Sequence, residues 1–263
     1  MADKERAKTG KSKPAKEARQ QIRRGLSELA RVARILSMEG HEDLILGHVS
    51  MRDPLGRGLW LKRHTLGLAE VLDDDFTLID FAGNVLDGKG PRHSEWPIHA
   101  QIMQARPELN YVGHTHAEYV TLVSCLKEPL RPYTANALHF PAPPPRFTRT
   151  AQLIRTPELG AELAACLGDN NAVLMRNHGC AFVGVTAAEM CINGIMLRRA
   201  CETHWKVIQT GHDSEWMNED DSRIRRANVG ATPDPRLEGS NALWDYFNRK
   251  LDRLEGRRVR HPD

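Results

Sequence analysis

The run His114-Thr115-His116 sets two imidazoles two residues apart in an apolar segment, Asn110 to His116, that reads as a β-strand. Side chains at i and i+2 of a strand leave the same face, so both rings can reach one cation. Upstream, His93-Ser94-Glu95-Trp96 supplies a carboxylate, and downstream Arg176-Asn177-His178-Gly179 supplies a third imidazole. Neutral imidazole is the commonest zinc ligand, and three protein ligands with one position left open mark a catalytic site. Burying two imidazoles on an apolar strand without partners is costly, which favours ligation at His114 and His116. His178 follows a buried apolar run, at the strand end where ligands collect in α/β folds. His41, His64, His204, His212 and His261 read as ordinary surface or core histidines. Among the five cysteines, which read as reduced core residues, Cys180 lies near enough to His178 to offer a thiolate to a metal.

The elements that must position these groups follow from periodicity. Ala18 to Glu39 has apolar residues at helical spacing, with Gly40 at the stop. Strands are expected at Gly47–Arg52, Gly58–Lys62 and Thr77–Phe81, with Gly83-Asn84 turning into Val85-Leu86. A helix from Glu95 to Ala105 ends before Pro107, and the strand with the two histidines follows. Ala117 to Leu126 reads as a short helix, and Pro129 to Pro145 as a loop. Pro157–Leu167 reads as a helix, Ala172–Met175 and Gly179–Val185 as paired strands, and Thr186 caps a long helix to about Gln209. Helices flanking adjacent antiparallel pairings imply a three-layer α/β/α domain over residues 18–211.

The chain has 263 residues, with 37 Lys and Arg against 34 Asp and Glu. That balance argues against a nucleic-acid partner. The basic residues gather at the two ends, and residues 1–17 read as a disordered tail rather than a signal peptide, because no apolar stretch follows. No run approaches the roughly 20 apolar residues that cross a bilayer, so a soluble cytoplasmic protein is expected. Residues 212–263 read as a polar linker and a C-terminal helical extension from Leu243 to Leu254, docked on the body or on a neighbouring subunit.

Four separated motifs in order, Gly47-His48-Val49-Ser50, Ser94-Glu95-Trp96, His114-Thr115-His116 and Asn177-His178-Gly179-Cys180-Ala181, resemble the class II aldolase/adducin family. The likeness runs from about Leu29 to Ile208. The family includes fuculose-phosphate and rhamnulose-phosphate aldolases and ribulose-phosphate 4-epimerase. The resemblance implies a mostly antiparallel central sheet and a homotetramer with active sites between subunits. It also implies one divalent metal per subunit, zinc or manganese, held by His114, His116 and His178. Glu95 would be the acid/base and a resting-state ligand. The non-catalytic adducin-like branch typically lacks this carboxylate, so its presence favours an enzyme. A tyrosine from the adjacent subunit often donates a proton in the aldolases, and Tyr133 lies in the matching neighbourhood. Tyr246 is a second candidate, with packing beside Trp244 and Phe247 as its alternative.

In such a lyase, vicinal substrate oxygens chelate the cation, which stabilises the enolate or carbanion left by carbon–carbon cleavage. Glu95, raised toward neutrality by dry surroundings, would move the proton. This chain departs from the sugar-phosphate pattern at the two positions that typically hold phosphate, which are His48 and His93 here. With Ser50, Arg92 and Ser94 they suit a carboxylate or phenolic oxygen through charge-assisted hydrogen bonds. The expectation is decarboxylation of a hydroxylated aromatic or heteroaromatic carboxylic acid. The alternatives are a sugar-phosphate aldolase or 4-epimerase, and a non-catalytic adducin-like scaffold.

Overall fold

The period-two alternation of the strands divides the apolar residues between two cores. The computed structural model describes residues 12–228 and 242–257. One sheet holds β1 (His48–Arg52), β2 (Leu59–Lys62), β3 (Phe76–Ile79), β4 (Val85–Asp87), β5 (Tyr111–Thr115), β6 (Arg146–Phe147), β7 (Ala172–Met175) and β8 (Gly179–Gly184). Their order is β4-β3-β2-β1-β5-β8-β7-β6. Every neighbouring pair is antiparallel except β6 with β7.

Val49, Met51, Leu174 and Phe182 leave one face of this sheet. They pack with α1 (Ser12–Leu36), α3 (Glu118–Ser124), α5 (Ala187–Ile208) and α7 (Ala242–Leu254) through residues such as Leu29, Val120, Ile195 and Phe247. Leu59, Val112, Val173 and Val183 leave the other face, beneath α2 (Trp96–Ala105) and α4 (Pro157–Leu167), represented by Ile98, Ile102 and Leu163. The outcome is the expected α/β/α arrangement. Helix starts follow capping chemistry: Thr156 Oγ1 accepts Leu159 N–H at 3.3 Å, and Thr186 Oγ1 accepts Glu189 N–H at 3.1 Å. Gly40, at φ 86°, supplies the left-handed residue that turns the chain after α1.

The structure differs from the sequence expectations at several points. Helix α1 begins at Ser12, inside the span read as a tail, while residues 1–11 lie outside the described residues. The short strand β6 follows the proline-rich segment, where Pro145 O and Phe147 O accept Leu174 N–H and Arg176 N–H. Two residues are too few for periodicity to register. The span read as a polar linker contains α6 (Glu219–Asn228), a charged helix with little apolar patterning. Among the described residues no helix is long and apolar enough to cross a membrane.

Helix α7 docks on α1 of its own chain. Arg31 pairs with Asp252 at 2.9 Å and Arg34 with Glu255 at 2.8 Å, and Lys250 meets Glu39, just past the end of α1. Such partly exposed pairs contribute little individually. The buried Phe247 and Leu251 supply the larger hydrophobic term. Phe247→Ala is expected to destabilise the protein by about 3–5 kcal/mol, read as a fall in the urea midpoint. An unchanged midpoint would contradict the packing of this helix into the core.

Candidate metal centre

His48 and Ser50 of β1 and His114 of β5 lie on the α2 side of the sheet, opposite to Val49 and Met51. The β1–β5 register sets His48 directly across from His114, and the β5–β8 register sets His114 across from Ala181. His116 falls one residue past β5, yet its ring still meets that of His114, with Nε2 to Nε2 at 3.0 Å. His178 arrives from the hairpin between β7 and β8, where Asn177 takes the left-handed conformation at φ 57°. A Cβ on the following Gly179 would lie 2.4 Å from Thr115 O and 2.8 Å from His116 Cδ2. Only glycine permits the approach that brings His178 against the end of β5.

Glu95 stands just before α2, and its carboxylate turns away from the helix end. Oε1 accepts Ile154 N–H at 2.8 Å, while Oε2 faces His114 Nε2 at 3.7 Å and His178 Nε2 at 3.6 Å. One atom from each of Glu95, His114, His116 and His178 lies within 4.8 Å of the others. Tetrahedral bonds of about 2.0–2.1 Å to imidazole place ligand atoms roughly 3.3 Å apart, and the observed separations straddle that figure.

Ring orientation strengthens the fit. His114 Nδ1 lies 2.9 Å from the Cys180 carbonyl, and His116 Nδ1 lies 2.8 Å from the Asp43 carboxylate. Both partners only accept, so both Nδ1 atoms carry protons. Burial, followed by the neighbouring imidazoles, pushes the His114 pKa well below its ordinary value and keeps that ring neutral. Its Nε2 is therefore a lone pair aimed at the cluster, and His178 Nε2 is buried without a hydrogen bond. Converging lone pairs beside a carboxylate form a donor set suited to a divalent cation.

Glu95 does not match the expected upward shift. Burial acts to raise its pKa, but the facing His178 and the Ile154 N–H outweigh burial and hold the carboxyl below its ordinary range. Cys180 is corrected as well. As the strand neighbour of Ala181 it points to the opposite face, into the α1–α5 core, and burial pushes its thiol up to about 12.

Beside the candidate centre lies an imidazole annex. The His48 and His93 ring centroids are 3.8 Å apart, with His99 4.8 Å from His48 and His64 4.8 Å from His93. Burial, then His93, pushes the His48 pKa well down, and burial, then His64, pushes that of His93 to about 3. These rings are therefore neutral, and a hydrogen bond from one of them to a carboxylate would take its charge assistance from the acceptor. His93 has both ring nitrogens buried without partners, and His48 has its Nε2 so.

Of the other expected site residues, Ser50 is buried with its hydroxyl turned to His99, and Ser94 is half-buried between His93 and Glu95. Arg92 stacks over the Trp96 ring at 5.3 Å. Tyr133 meets Ser214, His204 and Trp216 of its own chain and is not gathered into the cluster. Tyr246 packs on Phe247 of α7. Asp43 and His99 carry no sequence reading, and His64, read as an ordinary histidine, stands in the annex beside His93. For His99 a signal existed, since it follows Glu95 by one helical turn and so shares its face. Asp43 lies in a loop with no motif.

The sequence pattern of the Class II Aldolase and Adducin N-terminal domain matches residues 27–205, and the chain belongs to that family. It is 29% identical over 191 residues to a putative aldolase class 2 protein of Caulobacter vibrioides, covering 71% of this chain and 74% of that one. It is 31% identical over 166 residues to the 3,4-dihydroxyphthalate decarboxylase of Arthrobacter keyseri, covering 57% and 65%. It is 27% identical over 190 residues to the 5-methylthioribulose-1-phosphate/5-deoxyribulose-1-phosphate aldolase of Rhodospirillum rubrum, covering 72% and 82%. The structure of L-fuculose 1-phosphate aldolase from Glaciozyma antarctica PI12 superposes with a TM-score of 0.77 at 21% identity, covering 92% and 94%, which shows the shared fold. The activities named among these relatives are carbon–carbon lyases, which supports an enzyme of the lyase family.

Asp43→Asn is expected to weaken cation affinity about 10–100-fold by releasing His116, measured by chelator competition, whereas Cys180→Ala leaves it unchanged. An effect of Cys180→Ala matching that of Asp43→Asn would contradict this assignment. The pH dependence of stability is set partly by His41 and His99, which burial lowers to about 3 from an ordinary 6.5. Unfolding below pH 6.5 takes up protons at both. Their contribution is complete above that pH and declines as pH falls toward 3, by about 1.4 kcal/mol per unit for each. Urea midpoints of the metal-free protein between pH 7.5 and 5 should fall accordingly, and a flat profile would contradict neutral burial.

Proposed function

We propose that this chain is a divalent-metal-dependent carbon–carbon lyase that decarboxylates a hydroxylated aromatic or heteroaromatic carboxylic acid. The observation that carries this reading is the neutral imidazole annex against Glu95. Phosphate dianions are favoured by fixed positive charge or convergent backbone N–H groups. Buried neutral imidazoles offer instead single, directed donors that suit a carboxylate or phenolic oxygen. The likeness to a dihydroxyphthalate decarboxylase supports the same substrate class, and the likeness to a sugar-phosphate aldolase sustains the alternative.

In this reading His114, His116 and His178 hold one zinc or manganese ion per subunit. The ion when bound supplies Lewis-acid stabilisation of the charge left by carbon–carbon cleavage. Asp43 and the Cys180 carbonyl keep two of its imidazoles aimed. His48 and His93 hold the substrate carboxylate, with Ser94 between His93 and Glu95. Glu95, anchored through Oε1, moves the proton at Oε2. The low resting pKa makes it a carboxylate before substrate arrives, so it would take the proton of the substrate's ring hydroxyl and return it to the carbon that loses carbon dioxide. The assembly we propose is a cytoplasmic homotetramer with sites between subunits, Tyr133 reaching the site of a neighbour.

Metal-loaded protein is expected to release carbon dioxide from hydroxyphthalate-type acids. Cleavage of phosphorylated ketoses with no activity on any acid would overturn the proposal in favour of the aldolase. Glu95→Gln should retain the cation and lower turnover by about 10²–10⁴-fold. Undiminished turnover in that variant excludes Glu95 as the proton carrier.

A further inference from the structure

Lys62 ends β2 as a fully buried lysine, and the proposed chemistry makes no use of it. Burying an ammonium is costly unless its donors are met. Here its three N–H groups find three backbone carbonyls, those of Ile45 at 3.4 Å, Arg63 at 3.3 Å and Leu66. Burial lowers the Lys62 pKa to about 8, with Glu42 and Glu70 acting against it, so the charge is present at neutral pH. These contacts join two segments, the turn 43–46 and the stretch 63–70. Little of the turn is held by burial, since Leu44 is 78%, Ile45 39% and Leu46 37% exposed. Leu44 also takes the left-handed conformation at φ 50°, which costs a non-glycine residue free energy. Three ties seat the turn on the stretch below it. Lys62 bridges Ile45 and Leu66, and Glu42 Oε2 accepts Ala69 N–H at 3.2 Å. Gly67 packs so closely that a Cβ there would lie 2.8 Å from Leu44 O and 2.6 Å from Glu42 Oε1.

Asp43 begins this turn, and its carboxylate meets His116 Nδ1 at 2.8 Å. We infer that Lys62 is a positioning residue for the candidate metal centre: by pinning the turn 43–46 to the stretch 63–70 it holds Asp43, and through Asp43 the His116 ring, in the ligating orientation. With all three donors committed to carbonyls, Lys62 has none left for a substrate. His114 is the internal control. Its Nδ1 lies 2.9 Å from the Cys180 carbonyl, within the β5–β8 pairing, and owes nothing to the turn. The consequence for cation binding rests on the metal reading of His116, whereas the pinning of the turn does not.

The test uses full-length, zinc-loaded protein with 15N-labelled histidine. Lys62→Met keeps the apolar stem and removes the three donors. Gly67→Ala, at φ −70° where alanine is unstrained, pushes the turn off its seat with Lys62 intact, and it carries the test should Lys62→Met fail to fold. In either variant the His116 Nδ1 proton should exchange with water about tenfold faster, as local opening of the turn becomes easier, while the His114 Nδ1 proton is unchanged. Zinc affinity, read by chelator competition, should fall about tenfold, the low end for loss of an orienting partner. Combining Lys62→Met with Asp43→Asn should weaken zinc no further than Asp43→Asn alone, because both act through one carboxylate. Unchanged exchange and affinity in both variants, equal loosening of His114 and His116, or additive losses in the double variant would overturn the inference. Wild-type protein that takes up no zinc would remove the metal reading instead. The His116 proton of the metal-free variants then decides the pinning, faster exchange supporting it and an unchanged rate overturning it.

Discussion

The strict alternation of side chains across β1, β5 and β8 is the constraint on which the site depends. Pairing in register puts His48 opposite His114 and His114 opposite Ala181, so His48, Ser50 and His114 collect beneath α2. A slip of one residue in either pairing would exchange that set for Val49, Gly113 and Cys180. The apolar packing that specifies the register therefore also specifies the chemistry. Nothing in the loops could gather these groups without the sheet beneath them.

Desolvation sets the electrostatics. Imidazoles crowded away from water shed their protons, which is the form that ligates cations and that can donate and accept at once. A lone buried carboxyl would normally be raised by the same effect. Glu95 escapes because the Ile154 amide and the His178 ring face its two oxygens. One interior thus holds neutral bases and an anion side by side.

Much of this was legible in the sequence because it rests on local rules. The His-x-His spacing, the capping threonine at 186, and the apolar runs of β7 and β8 each carry their own signal. What was not legible depends on distant partners. Asp43 is a loop aspartate until the fold sets it against His116, and His99 is an apolar-helix histidine until β1 presents His48 and Ser50 to it. Cys180 shows the converse error, since closeness in sequence to His178 meant nothing once strand alternation sent it to the other face. The upward pKa expected of Glu95 failed for a related reason. Burial is visible as hydrophobic context, but the groups that answer it are not.

The contacts that aim the candidate ligands all span long stretches of chain: 73 residues from Asp43 to His116, 66 from His114 to Cys180, and 59 from Glu95 to Ile154. Closing such loops is the slow, late part of assembling a sheet of this topology. A partly folded chain holds the right histidines but not their orientation. Cation capture at full affinity accordingly belongs to the end of folding, and it draws the last unfolded molecules toward the native state by mass action.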